Sequence, residues 1–353
     1  MNAMAQRVMI TGVTGQDGAL LATRLLREGV AIVGTHRPGV AADTWRLQEL
    51  GVADHAALTL APLDLLDVDA CRALVARSAP ESLFHLAGQS SVAESFRDPA
   101  GSVRANGLGT LNLLEAVRSS APQAHFVLAS SAEIFGAPEI APQNETTPLA
   151  ATTPYGLSKL LAHSAVAAWR TSFGLRASCA ILFNHESEWR DTAFVTRKLS
   201  RGAARIALGR EESIALGNLE ARRDFGYAPD YVAAMLAMAA REMGGDYVLA
   251  TGQACSIRDY ACAAFAAAGM TLDWFGEGFD EVGVERGSDR VCVRIDPALF
   301  RPSDAPLLVG DASKARSELG FAQTLDVAGL AQRMVDADLR RERASATSGA
   351  GSH

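Results

Sequence analysis

Along the first half of the chain, short apolar runs alternate with longer stretches whose apolar positions recur every three or four residues. The runs 7–13, 30–36, 58–60, 82–87, 125–130 and 177–183 are nearly all apolar, the pattern of strands covered on both faces. Between them, 19–28, 69–79, 108–119 and 155–173 carry helical periodicity. Strand and helix taking turns predicts a doubly wound α/β domain, a parallel sheet with helices on both faces, over 7–183. Beyond about residue 183 the pattern loosens into Gly- and Pro-punctuated segments with shorter helices. A smaller α/β lobe for substrate is expected over 184–340, with the chain crossing back to the large sheet near 220–252. The tail 344–353, rich in Ser, Gly and Ala, reads as a disordered end.

Of the 353 residues, 48% are hydrophobic and 21% charged, an ordinary balance for a soluble enzyme. The net charge of −7 argues against nucleic acid as a partner, and an anionic ligand would need a local basic pocket. The N-terminus runs straight into a strand with no signal-peptide pattern, and the apolar run 231–240 is too short to span a bilayer. No membrane partner is therefore expected, and a cytoplasmic location is. Cys71, Cys179, Cys255, Cys262 and Cys292 are scattered, without a CxxC pair or a His cluster at metal spacing. Reduced thiols and no metal are the expectation.

Strand 1 runs into Thr11-Gly12-Val13-Thr14-Gly15-Gln16-Asp17-Gly18, with glycines at GxxGxxG spacing. Gly12 permits a tight turn, Gly15 lets a pyrophosphate approach the backbone, and Gly18 allows close helix packing, as in Rossmann-like folds. The helix N-terminus that follows offers free N–H groups to phosphates. Strand 2 ends at Thr35-His36-Arg37, where Arg37 suits the 2′-phosphate of NADP or is a surface charge. Asp64, followed by Leu65, could bond an adenine amine or cap a helix.

Tyr155 and Lys159 stand four apart on a helix that starts after Pro154, so their side chains share a face. An ammonium beside a phenol favours the phenolate and makes Tyr155 a usable base. Ser131 can bond the oxygen that becomes a carbonyl. Glu133, two residues on, faces the same site if the strand end stays extended, and is otherwise a solvated loop carboxylate. A ketone acidifies the neighbouring C–H, so a carboxylate there can remove that proton and pass it to a leaving hydroxyl.

With these residues the chain, over roughly 7–325, resembles the extended short-chain dehydrogenase/reductase family and, within it, the GDP-mannose 4,6-dehydratases. Further segments carry the likeness: Leu86-Ala87-Gly88-Gln89-Ser90, Asn184-His185-Glu186-Ser187 with Val195-Thr196-Arg197-Lys198, Leu216-Gly217-Asn218 through Arg223-Asp224, and Asp296-Pro297 through Phe300-Arg301-Pro302. The resemblance implies NADP held by the glycine turn, Asp64, Leu65, Leu86, Ala87, Tyr155, Lys159, His185 and Arg190. It implies a GDP-sugar near Ser90, Ser131, Glu133, Asn184, Lys198, Arg223 and Arg301, because cationic side chains are what a diphosphate needs.

The implied reaction is redox-neutral. Tyr155 takes the C4 hydroxyl proton as hydride leaves C4, Glu133 moves the C5 proton to the departing C6 hydroxyl, and hydride returns to C6. A homodimer through helices 108–119 and 155–173, or a homotetramer, is also implied. The chain departs from the family pattern at Ser131 (Thr), Ala132 (Ser), Phe135 (Tyr) and Ser91 (His). It departs again at His36-Arg37-Pro38-Gly39 (Arg-Arg-Ser-Ser) and at Glu188-Trp189-Arg190-Asp191 (Pro-Arg-Arg-Gly). Rival readings are a GDP-4-keto-6-deoxymannose reductase, a dehydratase of another GDP-hexose or GDP-heptose, and a non-catalytic nucleotide sensor.

Overall fold

A computed structural model describes residues 6–39, 41–300 and 307–349. In chain order come β1 (Arg7–Thr11), α1 (Gln16–Arg27), β2 (Ala31–His36), α2 (Trp45–Glu49), β3 (Leu58–Pro62), α3 (Val68–Ser78) and β4 (Ser82–His85). Two short helices, α4 (Val92–Arg97) and α5 (Pro99–Val103), lead through a π-turn at Arg104–Leu108 into α6 (Gly109–Ser120). Then follow β5 (His125–Ala129), a 3-10 turn (Ala132–Phe135), α7 (Pro154–Phe173) and β6 (Ala177–Leu182).

The chain forms two compact units. The first takes everything through Phe183, then Ala228–Ala250 and Gly310–Ala322. Its sheet is parallel throughout, and β1 lies between β2 and β4, in register Thr11↔Thr35 and Thr11↔His85. Because β-strand side chains alternate, Val8 and Ile10 enter the core under α1, while Met9 enters the core under α6 and α7. Strand order reverses at β1 and β4, and in such sheets ligands collect at the carboxyl ends of the strands where that happens.

Between β6 and the return segment lie β7 (Asn184–Glu186), α8 (Val195–Ala207), β8 (Ile214–Leu216) and β9 (Arg222–Tyr227). Next, α9 (Ala228–Ala239) and β10 (Asp246–Leu249) rejoin the first unit. The apolar α9 buries Met235 and Met238, and β10 extends the sheet beside β6. At that edge, Val248 N–H donates to Glu145 Oε1 at 2.8 Å, which satisfies a group that would otherwise invite another strand. A second return, 310–322, brings Ala312 and Ala315 into the same core.

The second unit continues with β11 (Ala254–Ser256), α10 (Ile257–Ala267), β12 (Leu272–Phe275), β13 (Val282–Glu285), β14 (Val291–Ile295) and β15 (Leu307–Leu308). After α11 (Ser313–Leu319) in the first unit, the chain ends in α12 (Val327–Gly349). Strand β9 is the hub of one small sheet, pairing with β7, β11 and β15; β12, β13, β14 and β8 form another. Helix α12 carries on through 344–349, where a disordered end was expected. Ala344 is a strong helix former that extends the preceding Arg-Glu-Arg turn. Residues 350–353 lie outside the described residues. Among the described residues no helix is long and apolar enough to cross a membrane.

Candidate active site

The glycine turn is shaped by what a Cβ would strike. Gly12 has φ +74°, and a Cβ on it would lie 2.8 Å from the Ala87 backbone. A Cβ on Gly18 would lie 2.3 Å from the Gly12 carbonyl oxygen, so α1 sits directly on the turn. At Gly15 the nearest atom is that same oxygen at 3.3 Å, which leaves its outer side open. Gly15 is also the N-cap of α1, and no side chain caps the helix. Helices α3 and α7 of the same unit are capped by side chains: Asp67 accepts from Ala70 N and Thr153 from Gly156 N. An open glycine before an uncapped helix start is a cradle for phosphate, so the turn fits a dinucleotide pyrophosphate.

Around that cradle, Asp17 lies close enough to Lys159 to oppose, in part, the lowering of its pKa by burial. Gln16 is buried and donates to Asp17 Oδ1 at 3.0 Å. Thr11, expected among the cofactor contacts, is wholly buried and its hydroxyl faces His85 Nδ1 at 2.7 Å. Arg37 is exposed after β2. Asp64 spends one oxygen on Leu66 N in a local turn, and Asn112 Nδ2 holds the Leu65 carbonyl. Sequence reasoning missed Arg46 on α2, which is buried and donates to the Thr14 carbonyl at 3.2 Å. Its only sequence signal is the adjoining Trp45, over whose ring the guanidinium lies.

The candidate acid–base residues gather at the carboxyl end of β5 and the start of α7. Pro154 at the first helical position and the Thr153 cap start α7, placing Tyr155 and Lys159 one turn apart. Both are buried. Lys159 Nζ lies 6.0 Å from the Tyr155 ring centre and donates to the Ala129 carbonyl at 2.9 Å. Burial lowers the Lys159 pKa to about 8, against the opposing pull of Asp17.

The strand end that would have turned Glu133 to the site by staying extended does not do so: β5 stops at Ala129 and Glu133 sits in the 3-10 turn Ala132–Phe135. The cause is Ser131, which caps the turn by accepting from Glu133 N at 3.2 Å. The turn packs against α7 through Gly156, where a Cβ would lie 2.5 Å from the Glu133 carbonyl oxygen. Ser131 and Glu133 are thereby brought beside the Tyr155 turn. The loop after β4 reaches the same place: a Cβ on Gly88 would come within 3.9 Å of Lys159 Nζ. Leu86 and Ala87 are half-buried there, and Ser90 is exposed.

Asn106, in the π-turn, joins these pieces and carried no sequence signal. Its Oδ1 accepts from Gln89 N at 2.9 Å, and its Nδ2 donates to the Gln89 carbonyl and to Ser158 Oγ at 2.8 Å. A second cluster also went unforeseen: one ligand atom each of His163, Cys179 and Asp246 lies within 4.8 Å of the others. Arg170 occupies both Asp246 oxygens, at 2.9 and 2.8 Å, so a metal cation there would meet a guanidinium.

The second unit holds the remaining candidates. Asn184 opens β7 opposite Phe225, and His185 is buried beside it. Arg190 pairs with buried Glu186 at 3.0 Å and stacks on Phe194, 3.6 Å from its ring centre. Buried Arg223 donates to its neighbour's carbonyl at 2.8 Å. The next residue, Asp224, is fully buried and accepts from Thr251 N, Thr251 Oγ1 and Gly252 N. Lys198 is half-buried; burial lowers its pKa while Asp296 and Glu211 raise it. Its neighbour Arg197 is instead structural, forming two bonds to Asp338 on α12 at 2.9 and 2.6 Å. Arg301 lies outside the described residues.

A family model described as GDP-mannose 4,6 dehydratase matches residues 9–334. The chain is 42% identical over 336 residues to a GDP-mannose 4,6-dehydratase of Sinorhizobium fredii (strain HH103), covering 94% of this chain and 96% of that one. It is 38% identical over 342 residues to a GDP-mannose 4,6 dehydratase of Drosophila melanogaster, covering 95% and 86%. The solved UDP-glucose 4-epimerase of Thermus thermophilus, in complex with NAD, shares the fold, with a TM-score of 0.78 at 24% identity over 94% of this chain and 99% of that one. On the family match and the length and level of these identities, the chain belongs to the GDP-mannose 4,6-dehydratase family.

Proposed function

We propose that this protein dehydrates GDP-mannose to GDP-4-keto-6-deoxymannose with NADP as a resident cofactor. The observation that carries the reading is the packing of the Glu133 turn on the Tyr155 turn through Gly156. A dehydrogenation needs Tyr155 and Lys159 alone; a carboxylate held beside them supplies the extra proton step that elimination requires. A 4-keto reductase has no use for it.

Tyr155 accepts the proton of the C4 hydroxyl, with the Lys159 ammonium favouring its phenolate and Ser131 bonding the C4 oxygen. A dinucleotide held by the glycine turn would supply the hydride acceptor and donor that oxidation at C4 and reduction at C6 require. Glu133 removes the C5 proton, now acidified by the C4 ketone, and delivers it to the C6 hydroxyl, which leaves as water. Tyr155 returns its proton to C5, so both residues end the turnover as they began. The glycine turn holds the pyrophosphate, and Arg37 reads the 2′-phosphate that distinguishes NADP. Lys198 and Arg223 bind the diphosphate or guanosine end, Arg301 is a further partner for the diphosphate, and Asn184 contacts the sugar or its phosphate.

Exposed Leu108, Leu157 and Leu161 on the π-turn and α7 suit a homodimer in the cytoplasm. Incubation of the purified protein with GDP-mannose and catalytic NADP, read by mass, should give a product lighter by one water with no net change in nicotinamide absorbance. Product that forms only with stoichiometric NADPH consumption would replace this reading with the reductase. Running a panel of GDP-hexoses and GDP-heptoses alongside identifies the sugar.

A further inference from the structure

His85 ends β4 in the centre of the first unit, fully surrounded, and both ring nitrogens have partners. Nδ1 is 2.7 Å from Thr11 Oγ1 and Nε2 is 3.0 Å from Thr110 Oγ1. The directions of these bonds can be assigned by counting protons. Thr110 Oγ1 lies 2.5 Å from the Asn106 carbonyl oxygen, and two oxygens that close need a proton between them. A carbonyl has none, so the single hydroxyl proton of Thr110 is spent there. His85 Nε2 must then carry the proton it shares with Thr110.

On the other side, Ala87 N–H donates to Thr11 Oγ1 at 3.3 Å. The Thr11 hydroxyl proton is left for His85 Nδ1, which accepts it as a neutral imidazole does. A single directed chain results: Ala87 N–H to Thr11, Thr11 to His85, His85 to Thr110, Thr110 to Asn106. Asn106 continues it to Ser158 at 2.8 Å, and Ser158 donates to the Tyr155 carbonyl at 2.7 Å. A protonated ring would put a second donor against Thr11 and break the order. Burial, reinforced by the Lys159 charge, drives the His85 pKa down to about 3, which keeps the ring neutral.

The two ends of the chain are functionally different. Thr11 and Ala87 form the floor of the dinucleotide turn, since a Cβ on Gly12 would strike the Ala87 backbone at 2.8 Å. Asn106 and Ser158 fix the loop after β4 and the first turn of α7. We propose that His85, as the neutral Nε2–H tautomer, is a positioning residue that holds the cofactor turn and the Tyr155 turn in one register. The claim deepens the function proposed above and rests on it for the identity of the reaction, not for the existence of the coupling.

The test uses the full chain with His85→Phe, which keeps a ring and removes both bonds, and His85→Gln, which offers one acceptor and one donor. NADP and NAD dissociation constants are measured by calorimetry, and kcat and KM with GDP-mannose. His85→Phe should weaken dinucleotide binding about 10-fold and lower kcat about 10-fold with KM for the sugar nucleotide nearly unchanged, because the register of the turns is lost rather than a contact to substrate. His85→Gln should restore both to within about threefold. If His85→Phe lowers only the melting temperature, and the folded enzyme keeps its affinity and kcat, the proposal is wrong. It is equally wrong if Gln and Phe behave alike. Should His85→Phe not fold, Thr110→Val removes the acceptor of Nε2–H and must weaken dinucleotide binding in the same way; unchanged affinity there overturns the proposal. A wild-type protein that binds dinucleotide but leaves GDP-mannose intact would sink the proposed function, while the ratio of the Phe and Gln dissociation constants would still decide the role of His85.

Discussion

The two units fix their functional side chains by opposite means. In the first, backbone meets backbone: Gly12 against Ala87, Gly18 against the Gly12 carbonyl, Gly156 against the Glu133 carbonyl. Each contact tolerates no Cβ, so the geometry is set by absent atoms and costs no buried charge. In the second, charge meets charge across the sequence. Arg197 on α8 is tied to Asp338 on α12, and Glu342, one turn further along α12, takes Arg201, Arg205 and Arg210. The first unit carries the residues proposed to move protons, and stiff backbone contacts suit that task. The second carries the cations proposed to grip a diphosphate, and a helix laced by ion pairs holds Lys198 without spending its charge.

The sharpest test of this contrast is chemical. Glu133→Gln keeps the shape of the 3-10 turn and its packing on Gly156 but removes the base. We expect kcat to fall by about 10³-fold with dinucleotide affinity unchanged. If the variant turned over normally, Glu133 would be a bystander of the turn.

On the charge-paired side, Asp338→Ala should cost about 3 kcal/mol of stability in denaturant unfolding, because it strands the buried guanidinium of Arg197. Replacing Arg197 and Asp338 together by apolar residues should recover most of that loss. A double variant no better than Asp338→Ala would mean that the pair does more than neutralise itself.

How far each region was legible follows from the same difference. The GxxGxxG turn and Tyr155/Lys159 are readable because their determinants lie a few residues apart and one residue type answers each constraint. Apolar runs likewise place β1 to β6; β4, β5 and β6 are covered on both faces as read, whereas β3 is the sheet's edge strand and is only half-buried. The 3-10 turn at Glu133 was not legible, because a single Ser131 side chain diverts a strand end that propensity would leave extended. Arg197 and Lys198 looked alike as signature cations. Only a partner 141 residues away makes one structural and leaves the other available. Asn106, His85 and Thr110 form their chain from a π-turn, β4 and α6, with no spacing that periodicity can detect.

Gly156→Ala probes the backbone side without touching a functional group. The new Cβ would lie 2.5 Å from a main-chain oxygen that cannot swing away, so the Glu133 turn must shift relative to Tyr155. A displacement on the order of 1 Å in a reacting group can cost about 10²-fold in rate, and we expect a kcat loss of about that size with little change in KM. Wild-type kinetics in this variant would show that the turn has slack, and the comparison between a stiff first unit and a charge-laced second would lose its main support.

The smallest effect concerns pH. Burial lowers the Lys159 pKa to about 8 in the folded protein, from an ordinary value of 10.5. The ammonium that favours the Tyr155 phenolate is therefore present below about pH 8 and lost above it, so kcat/KM should decline severalfold as pH rises through that value. The stability contribution of the same group runs the other way. Between about 8 and 10.5 the unfolded chain binds this proton more tightly than the folded one, so folding gains from Lys159 as pH rises through that window. Activity falling while the unfolding midpoint holds or climbs would identify the limb as Lys159 rather than denaturation. Lys159→Arg, charged throughout the range, should run more slowly but lose the alkaline limb. A limb that persists unchanged in that variant would assign the titration to another group, and the ammonium would then serve only to hold the Ala129 carbonyl and the cofactor.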